Sequence, residues 1–267
     1  MNISKKTKIF FSISSFPGNK GSILHNYLFR KFSINSIYIP LGIKNLNAFL
    51  RFAKEIRVAG FSVSMPFKKK IVKYLSKKSK EVILTKSCNT VFLNNNRLIG
   101  YNTDYIAVYQ ILKNLKKFRN KEIQILGNGA TCKTVLIALK KLKFQNIFVY
   151  SRKGRLSKKN NVKFLPWKNR NKKRYDLLIN TTPIGMNKFK IDEVPISYNN
   201  LKNLKVIIDF PIPSKKISNL ENRSKKLKIR YYSGNDIHFL QGIKQSQIYL
   251  QKKIPLEICK KIKKILY

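Results

Sequence analysis

Three consecutive lysines, Lys68, Lys69 and Lys70, follow the segment GFSVSMPF (60–67), and Asp104 closes the segment GYNTD (100–104). An ammonium beside a carboxylate can hand a proton to an oxygen that turns negative during a ketone reduction. The carboxylate orients the donor, and the pair can share and pass the proton. Glu55, Glu81 and Asp104 are the only acids in the first 110 residues, so Asp104 stands out as the partner. It lies between a strand and a helix, facing the expected cleft between two domains. N-capping of that helix is an equally good role for it. Pattern alone does not choose among the lysines, whose ordinary role is solvated surface charge.

A second group of residues points to a phosphate-bearing ligand. In ILGNGATCKT (125–134) an apolar strand runs into Gly127-x-Gly129 and then a helix. In a dinucleotide fingerprint the first glycine makes the tight turn and the second lets the backbone approach the pyrophosphate. A small third residue, here Cys132, lets the helix pack closely. The N–H groups at the helix start then hold the phosphates. A plain strand-to-helix turn would look similar. The next strand ends VYSRKGR (149–155), with Ser151, Arg152, Lys153 and Arg155 where an NAD site places an acid for the ribose hydroxyls. A guanidinium suits a 2′-phosphate, so the spacing predicts NADP. A hydride carrier and a proton donor together describe an oxidoreductase.

These residues need a frame. Strands are predicted at 8–14, 36–41, 60–67, 175–182 and 205–210, a hairpin over 89–104, and a strand, glycine turn, helix and strand over 122–154. Helices are predicted at 22–32, 46–56, 71–77, 105–118 and from about 237 onward, with apolar residues at three- and four-residue spacing. The stretches 154–174 and 213–228 read as loops or surface helices. Alternating strands and helices predict an α/β fold with a mostly parallel sheet. Over 267 residues at 43% hydrophobic content the chain can bury a sizeable core in one or two domains. No stretch reaches the roughly 20 apolar residues of a membrane span. The first apolar run is short and broken by serines, so it reads as a strand and not an export signal. Three scattered cysteines and two histidines exclude a disulfide framework and a structural zinc site, and fit a reducing cytoplasm.

The formal net charge is +46. Such a charge suits a nucleic-acid binder. The lysines, however, are spread along the chain and accompanied by many Asn, Ile, Phe and Tyr. These residues share A- and T-rich codons with lysine, so nucleotide bias accounts for the composition. Self-repulsion at low salt and nonspecific attraction of polyanions follow in either case.

Taken in order, HN (25–26), GFSVSMPFK (60–68), CNT (88–90), GYNTD (100–104), LGNGAT (126–131), SR (151–152), NTTPIGM (180–186) and LQG (240–242) resemble the shikimate dehydrogenase family. The resemblance runs from about residue 9 to about residue 250. It implies a two-domain α/β protein: an N-terminal α/β substrate domain, 1–104 completed by about 237–267, and a Rossmann NADP-binding domain, 105–236. It implies NADPH-dependent reduction of 3-dehydroshikimate to shikimate in aromatic amino-acid biosynthesis. Lys68 falls on the family's catalytic lysine and Asp104 on its partner; Lys69 and Lys70 have no match. Ser64, Asn89 and Gln241 fall on substrate ligands. Gly127, Asn128, Gly129, Ala130 and Thr131 would hold the pyrophosphate, Arg152 the 2′-phosphate, and Phe210 and Gly234 would border the nicotinamide. No metal is expected, and the implied partner is a small molecule, with no specific nucleic acid and no membrane, for a cytoplasmic monomer or homodimer.

The chain also departs from the family. A Ser-x-Ser-Pro loop normally precedes the HN motif; here the residues are Asn19, Lys20, Gly21 and Ser22. Both hydroxyls that bind the substrate carboxylate are missing from their usual places, and the candidates to replace them are Asn19 by its amide, Lys20 by its charge, or Ser22. Ile212 replaces a tyrosine, Gly129-Ala130 replaces a glycine pair, and Asp236 brings a negative charge toward the cofactor. The alternatives are an NAD-using quinate/shikimate dehydrogenase, an inactive ligand-binding paralogue and a basic nucleic-acid binder.

Overall fold

A computed structural model describes residues 3–152, 157–159, 161–186, 193–213 and 217–267. The chain divides into two compact units, Met1–Ala107 with Phe239–Tyr267, and Val108–His238.

The first unit is built on a six-stranded sheet. Its strands are β1 (Lys8–Ser14), β2 (Ser36–Gly42), β3 (Gly60–Val63), β4 (Lys77–Lys78), β5 (Thr90–Asn94) and β6 (Arg97–Tyr101), in the order β2-β1-β3-β5-β6-β4. β1, β2 and β3 run parallel, and β5 turns back against β3. The β5–β6 hairpin has Asn95 and Asn96 at its tip, both at positive φ (47° and 59°). Two such residues make the type I′ turn whose twist matches the flanking strands. Period-two alternation divides β1 between two cores. Phe11 and Ile13 pack with Phe49 and Ala53 of α2 (Leu46–Glu55). Phe10 packs with Leu24, Leu28 and Phe29 of α1 (Lys20–Lys31), and with Phe239, Ile243 and Tyr249 from the C-terminal part of the chain.

The sequence pattern is less accurate where lysine dominates. Residues 71–77 are not an α-helix: Lys70–Tyr74 is a short 3₁₀ helix, leading into β4. Tightening to three residues per turn lets one side chain, Ile71, be buried. The pattern also passes over a one-turn helix, α3 (Lys80–Thr85).

The second unit carries a seven-stranded sheet. Its strands are β7 (Ile123–Leu126), β8 (Ile147–Ser151), β9 (Ser157–Lys159), β10 (Val162–Pro166), β11 (Leu177–Asn180), β12 (Val206–Asp209) and β13 (Arg230–Tyr232). Their order is β13-β12-β11-β7-β8-β10-β9, parallel except at the β9 edge. β7, β11 and β12 are buried at every position, as parallel strands covered on both faces require. The chain leaves β7 first toward β8 and later toward β11, so the strand order reverses at β7. That is the doubly wound topology, whose ligands bind beyond the carboxyl ends of the strands at the switch point. β10 lies inside the stretch 154–174 that reads as loop or surface helix. Its side chains are mostly half-buried and include Lys163, which hides its strand character.

Helix α4 (Thr103–Lys113) follows β6, α5 (Ala130–Lys141) follows β7, α6 (Tyr198–Leu201) precedes β12, and α7 (Asn219–Lys226) precedes β13. The chain closes with α8 (Gly234–Leu250) and α9 (Leu256–Leu266). No helix among the described residues is long and apolar enough to cross a membrane.

Asp209, at the carboxyl end of β12, is 3% exposed and accepts hydrogen bonds from Asn180 Nδ2 (2.7 Å) and the Tyr231 hydroxyl. Burial pushes its carboxyl up from 3.8 to about 6, against the two donors, and Glu221 adds to the rise. Between these values the folded state binds more protons than the unfolded one, so stability falls as pH rises through this window. The cost is about 3 kcal/mol at neutral pH. Asp209→Asn should therefore gain about that much on the wild type between pH 3.5 and pH 7. Paired urea melts at the two pH values check this; an unchanged difference between the proteins rules it out.

Candidate active site

Lys68 and Asp104 form an ion pair, with Nζ donating to Oδ2 at 2.8 Å. Both side chains are about one-third exposed, at 31% and 38%, so the pair can meet a ligand while it stays fixed. Each member is held from behind. Ser64 N–H donates to the Ile13 carbonyl (2.9 Å), and Phe67 N–H to the Ser64 carbonyl (2.9 Å). The turn between them contains the cis Met65–Pro66 bond. Phe67 is buried, and the Lys68 carbonyl accepts from Cys88 N–H at 2.9 Å. Lys68 is thus aimed by the end of β3, while Lys69 and Lys70 lie exposed.

Asp104 occupies the first turn of α4 but does not cap it. Asn102 does, accepting Tyr105 N–H on its Oδ1 at 3.1 Å. This separates the two roles that the sequence leaves joined, and the Asp104 carboxylate pairs with lysine.

Asn89 and Gln241 meet in the same unit. Asn89 Oδ1 accepts from Thr103 N–H (2.8 Å) and the Thr90 hydroxyl (2.9 Å). Its Nδ2 donates to Thr103 Oγ1 (2.9 Å) and to Gln241 Oε1 (3.2 Å). One turn further along α8, the buried Gln245 donates through Nε2 to the Asn89 carbonyl (3.1 Å) and Thr90 Oγ1 (2.8 Å). Its Oε1 must then accept from His25 Nε2, 3.1 Å away. That puts a proton on His25 Nε2, while Nδ1 lies 2.8 Å from the Ser246 hydroxyl, which itself donates to the Gly242 carbonyl at 3.0 Å. Ser64 is the exposed member of the group. The sequence reading misses Gln245, Thr90 and Thr103. The four-residue spacing of Gln241 and Gln245, which puts both on one helix face, was the available signal.

The second unit carries the glycine turn. Gly127 has φ +96°, and a Cβ there would lie 2.7 Å from Thr181 Oγ1. The turn therefore admits only glycine. Gly129 precedes α5 with no side-chain cap bond, and a Cβ on it would meet nothing within 4 Å. Open space above an uncapped helix start fits a pyrophosphate. Ala130 and Thr131 begin the helix, and Asn128 lies between the two glycines. Cys132 is fully buried in the third fingerprint position, and burial pushes its thiol up to about 12. Arg152 is exposed just beyond β8; Lys153 and Arg155 lie outside the described residues. Phe210 and Gly234 are neighbours: a Cβ on Gly234 would lie 2.6 Å from the Phe210 carbonyl oxygen, and nearer still to that of Pro211.

Asp236 is absorbed locally. Its Oδ2 accepts from Ser233 N–H (3.0 Å) and Oγ (2.7 Å), and the Ser233 hydroxyl accepts Asp236 N–H (3.1 Å). This reciprocal capping at the start of α8 gives the carboxylate a structural use. Among the described residues no three His, Cys, Asp or Glu side chains gather as a metal site.

A doubly wound sheet with a glycine turn before a helix, in a chain that also holds a lysine–aspartate pair, is the pattern of a dinucleotide-binding α/β oxidoreductase. The chain belongs to the shikimate dehydrogenase family. It is 32% identical over 238 residues to the shikimate dehydrogenase (NADP(+)) of Clostridium botulinum strain 657, spanning 83% of this chain and 92% of that protein. The family described as "Shikimate dehydrogenase substrate binding domain" matches residues 19–91. A "shikimate dehydrogenase-like protein" of Haemophilus influenzae is 27% identical over 266 residues, 94% of this chain and 93% of its own length. A solved shikimate dehydrogenase in complex with NADP+ superposes with a TM-score of 0.82 at 26% identity, covering 98% of this chain and 96% of the other.

Proposed function

We propose that the chain reduces 3-dehydroshikimate to shikimate with NADPH. The observation that carries this reading is the 2.8 Å Lys68–Asp104 pair in a chain of this family. When bound, the cofactor supplies the hydride for the carbonyl carbon. Lys68 holds the proton at Nζ and passes it to the oxygen as negative charge develops there. Asp104 keeps the ammonium aimed. Gln241 Oε1 is taken up by Asn89 and Thr103, at 3.2 and 3.3 Å, which turns its Nε2 donors toward a ligand. The Ser64 hydroxyl adds a second polar contact, and Asn89 anchors the group. Met1–Ala107 with Phe239–Tyr267 carries the substrate in this reading, and Val108–His238 the cofactor.

Gly127, Asn128, Gly129, Ala130 and Thr131 would hold the pyrophosphate, and Phe210 and Gly234 would border the nicotinamide. Arg152 would grip the 2′-phosphate with paired charged hydrogen bonds. Arg152→Ala should raise the KM for NADPH about tenfold, the worth of such a bond. The KM for NADH should hardly move, since NADH has no 2′-phosphate. Equal changes for both cofactors would remove Arg152 from this role. The reading places the protein in a reducing cytoplasm as a monomer or homodimer.

A binding-only role is favoured by one observation, the absence of the family's two loop hydroxyls from Asn19–Ser22. NADPH oxidation, followed by absorbance with purified protein and 3-dehydroshikimate at moderate salt, separates the two. Turnover is expected. A folded sample that binds shikimate without turnover establishes the binding-only role instead.

A further inference from the structure

Of the three candidates to replace the missing hydroxyls, Ser22 and Lys20 are engaged elsewhere. The Ser22 hydroxyl donates to the Asn19 carbonyl at 2.8 Å. The Lys20 ammonium lies 4.2 Å from the centre of the Tyr267 ring. Asn19 is exposed, and its side chain makes no cap bond to α1. The helix therefore starts uncapped. Gly21 and Ser22 N–H precede its first intrahelical bond, from Ile23 N–H to the Asn19 carbonyl (3.1 Å).

One buried hydroxyl lies at the level of that start. Ser14, the last residue of β1, is 4% exposed, and its Oγ has no hydrogen-bond partner. Strand alternation puts Ser14 on the face of Phe10 and Ser12, the face that α1 covers. Phe10 stacks with Phe29 of α1 at 5.2 Å. Ser12 bonds Tyr38, whose ring lies 3.5 Å from where a Cβ on Gly21 would be. From Phe10 to Ser14 the strand advances about 13 Å, and from Phe29 back to Lys20 the helix retreats about 13 Å. Ser14 thus lies on the face that α1 covers, level with the first turn of the helix. Ser64, the residue after β3, continues the Ser12↔Ser62, Ile13↔Val63 register toward Ser14 and donates its N–H to the Ile13 carbonyl.

A buried hydroxyl without a partner is costly unless a ligand satisfies it. A helix start without a cap or an acid in its first turn favours an anion. We propose that Ser14 Oγ, with the N–H groups of Gly21 and Ser22, forms the subsite for the substrate's carboxylate, in place of the loop hydroxyls this chain lacks. The proposal rests on the shikimate reading.

The test is Ser14→Ala, compared with the wild type in turnover and in thermal stabilisation by shikimate and by shikimate methyl ester. The variant should keep the ligand-free melting temperature or raise it, because it loses only an unpartnered hydroxyl. Its KM for 3-dehydroshikimate should rise about tenfold, one hydrogen bond to a carboxylate, with kcat changed less. The wild type's preference for the acid over the ester should shrink with it. A folded variant with unchanged KM and unchanged acid preference overturns the subsite while leaving the enzyme reading intact. A fall in ligand-free stability without a change in acid preference makes Ser14 structural and also overturns it. A wild type that binds shikimate without turnover, but loses that binding in Ser14→Ala, overturns the reaction and keeps the subsite. A wild type that neither turns over nor is stabilised by shikimate sinks both.

Discussion

Replacing Lys68 by methionine will lower kcat for 3-dehydroshikimate reduction about a thousandfold, within the range a positioned proton donor contributes. Methionine keeps the length and apolar stem of lysine and removes the proton and the charge. The KM for the substrate should change far less, because Ser64, Gln241 and the carboxylate subsite remain. Lys68→Arg separates charge from proton transfer. Arginine restores a cation beside Asp104 but does not deprotonate, and its planar fork cannot occupy the place of a point ammonium. It should leave kcat down by at least a hundredfold. Steady-state kinetics with NADPH at saturation checks both. A Lys68→Met enzyme within tenfold of the wild type would mean that the proton comes from another group. Lys69→Met and Lys70→Met are the internal controls, since neither lysine has a place in the pair.

Gly234→Ala will destabilise the protein by about 3 kcal/mol, the upper end for overpacking a filled site. The new methyl group would fall 2.6 Å from the Phe210 carbonyl oxygen and closer to that of Pro211. Both obstacles are backbone, so no side chain can swing away. Alanine is the better helix former, and at an open helix start it would stabilise by about 1 kcal/mol. The sign of the change therefore reports the crowding directly. Thermal melts should show a drop of roughly 5–10 °C for a chain of this size. The KM for NADPH should rise as well, since relief of the clash must displace the Phe210–Pro211 segment. An unchanged or raised melting temperature rejects the close approach.

Apolar patterning and glycine chemistry made most of this fold legible. KIFFSIS, IQIL, LLIN and VIID are strands because runs of four to seven mostly apolar residues end at turn-forming residues, and the Asn-rich hairpin tip announces itself. Failures cluster where lysine fills solvent-facing positions. At β10 and at Lys70–Tyr74 so few residues are buried that helix, strand and loop patterns look alike. In the candidate site, scarcity of acids isolated Asp104, but only the ordered motifs distinguished Lys68 from Lys69 and Lys70. The His25–Gln245–Asn89 connection joins residues up to 220 apart, and no local pattern encodes a contact at that range. Ser14 was invisible for another reason: a serine in a strand is unremarkable until its hydroxyl is seen buried without a partner.

The discontinuous first unit also has a consequence in time. Val108–His238 is one continuous stretch, so it can fold on the ribosome as soon as it emerges. The sheet of the first unit has all its strands by Tyr101, but one of its faces cannot be covered in the same way. One of its cores takes Phe239, Ile243, Tyr249, Leu250, Ile254 and Ile262 from the end of the chain. Until those residues are made, Phe10, Leu24, Leu28 and Phe29 wait with their apolar side uncovered, on a nascent chain crowded with lysine. Translation therefore imposes an order in which residues made before the second unit are sheltered only after it. The interval is the stage at which a chaperone, or an anionic surface that shields the charge, has most to offer.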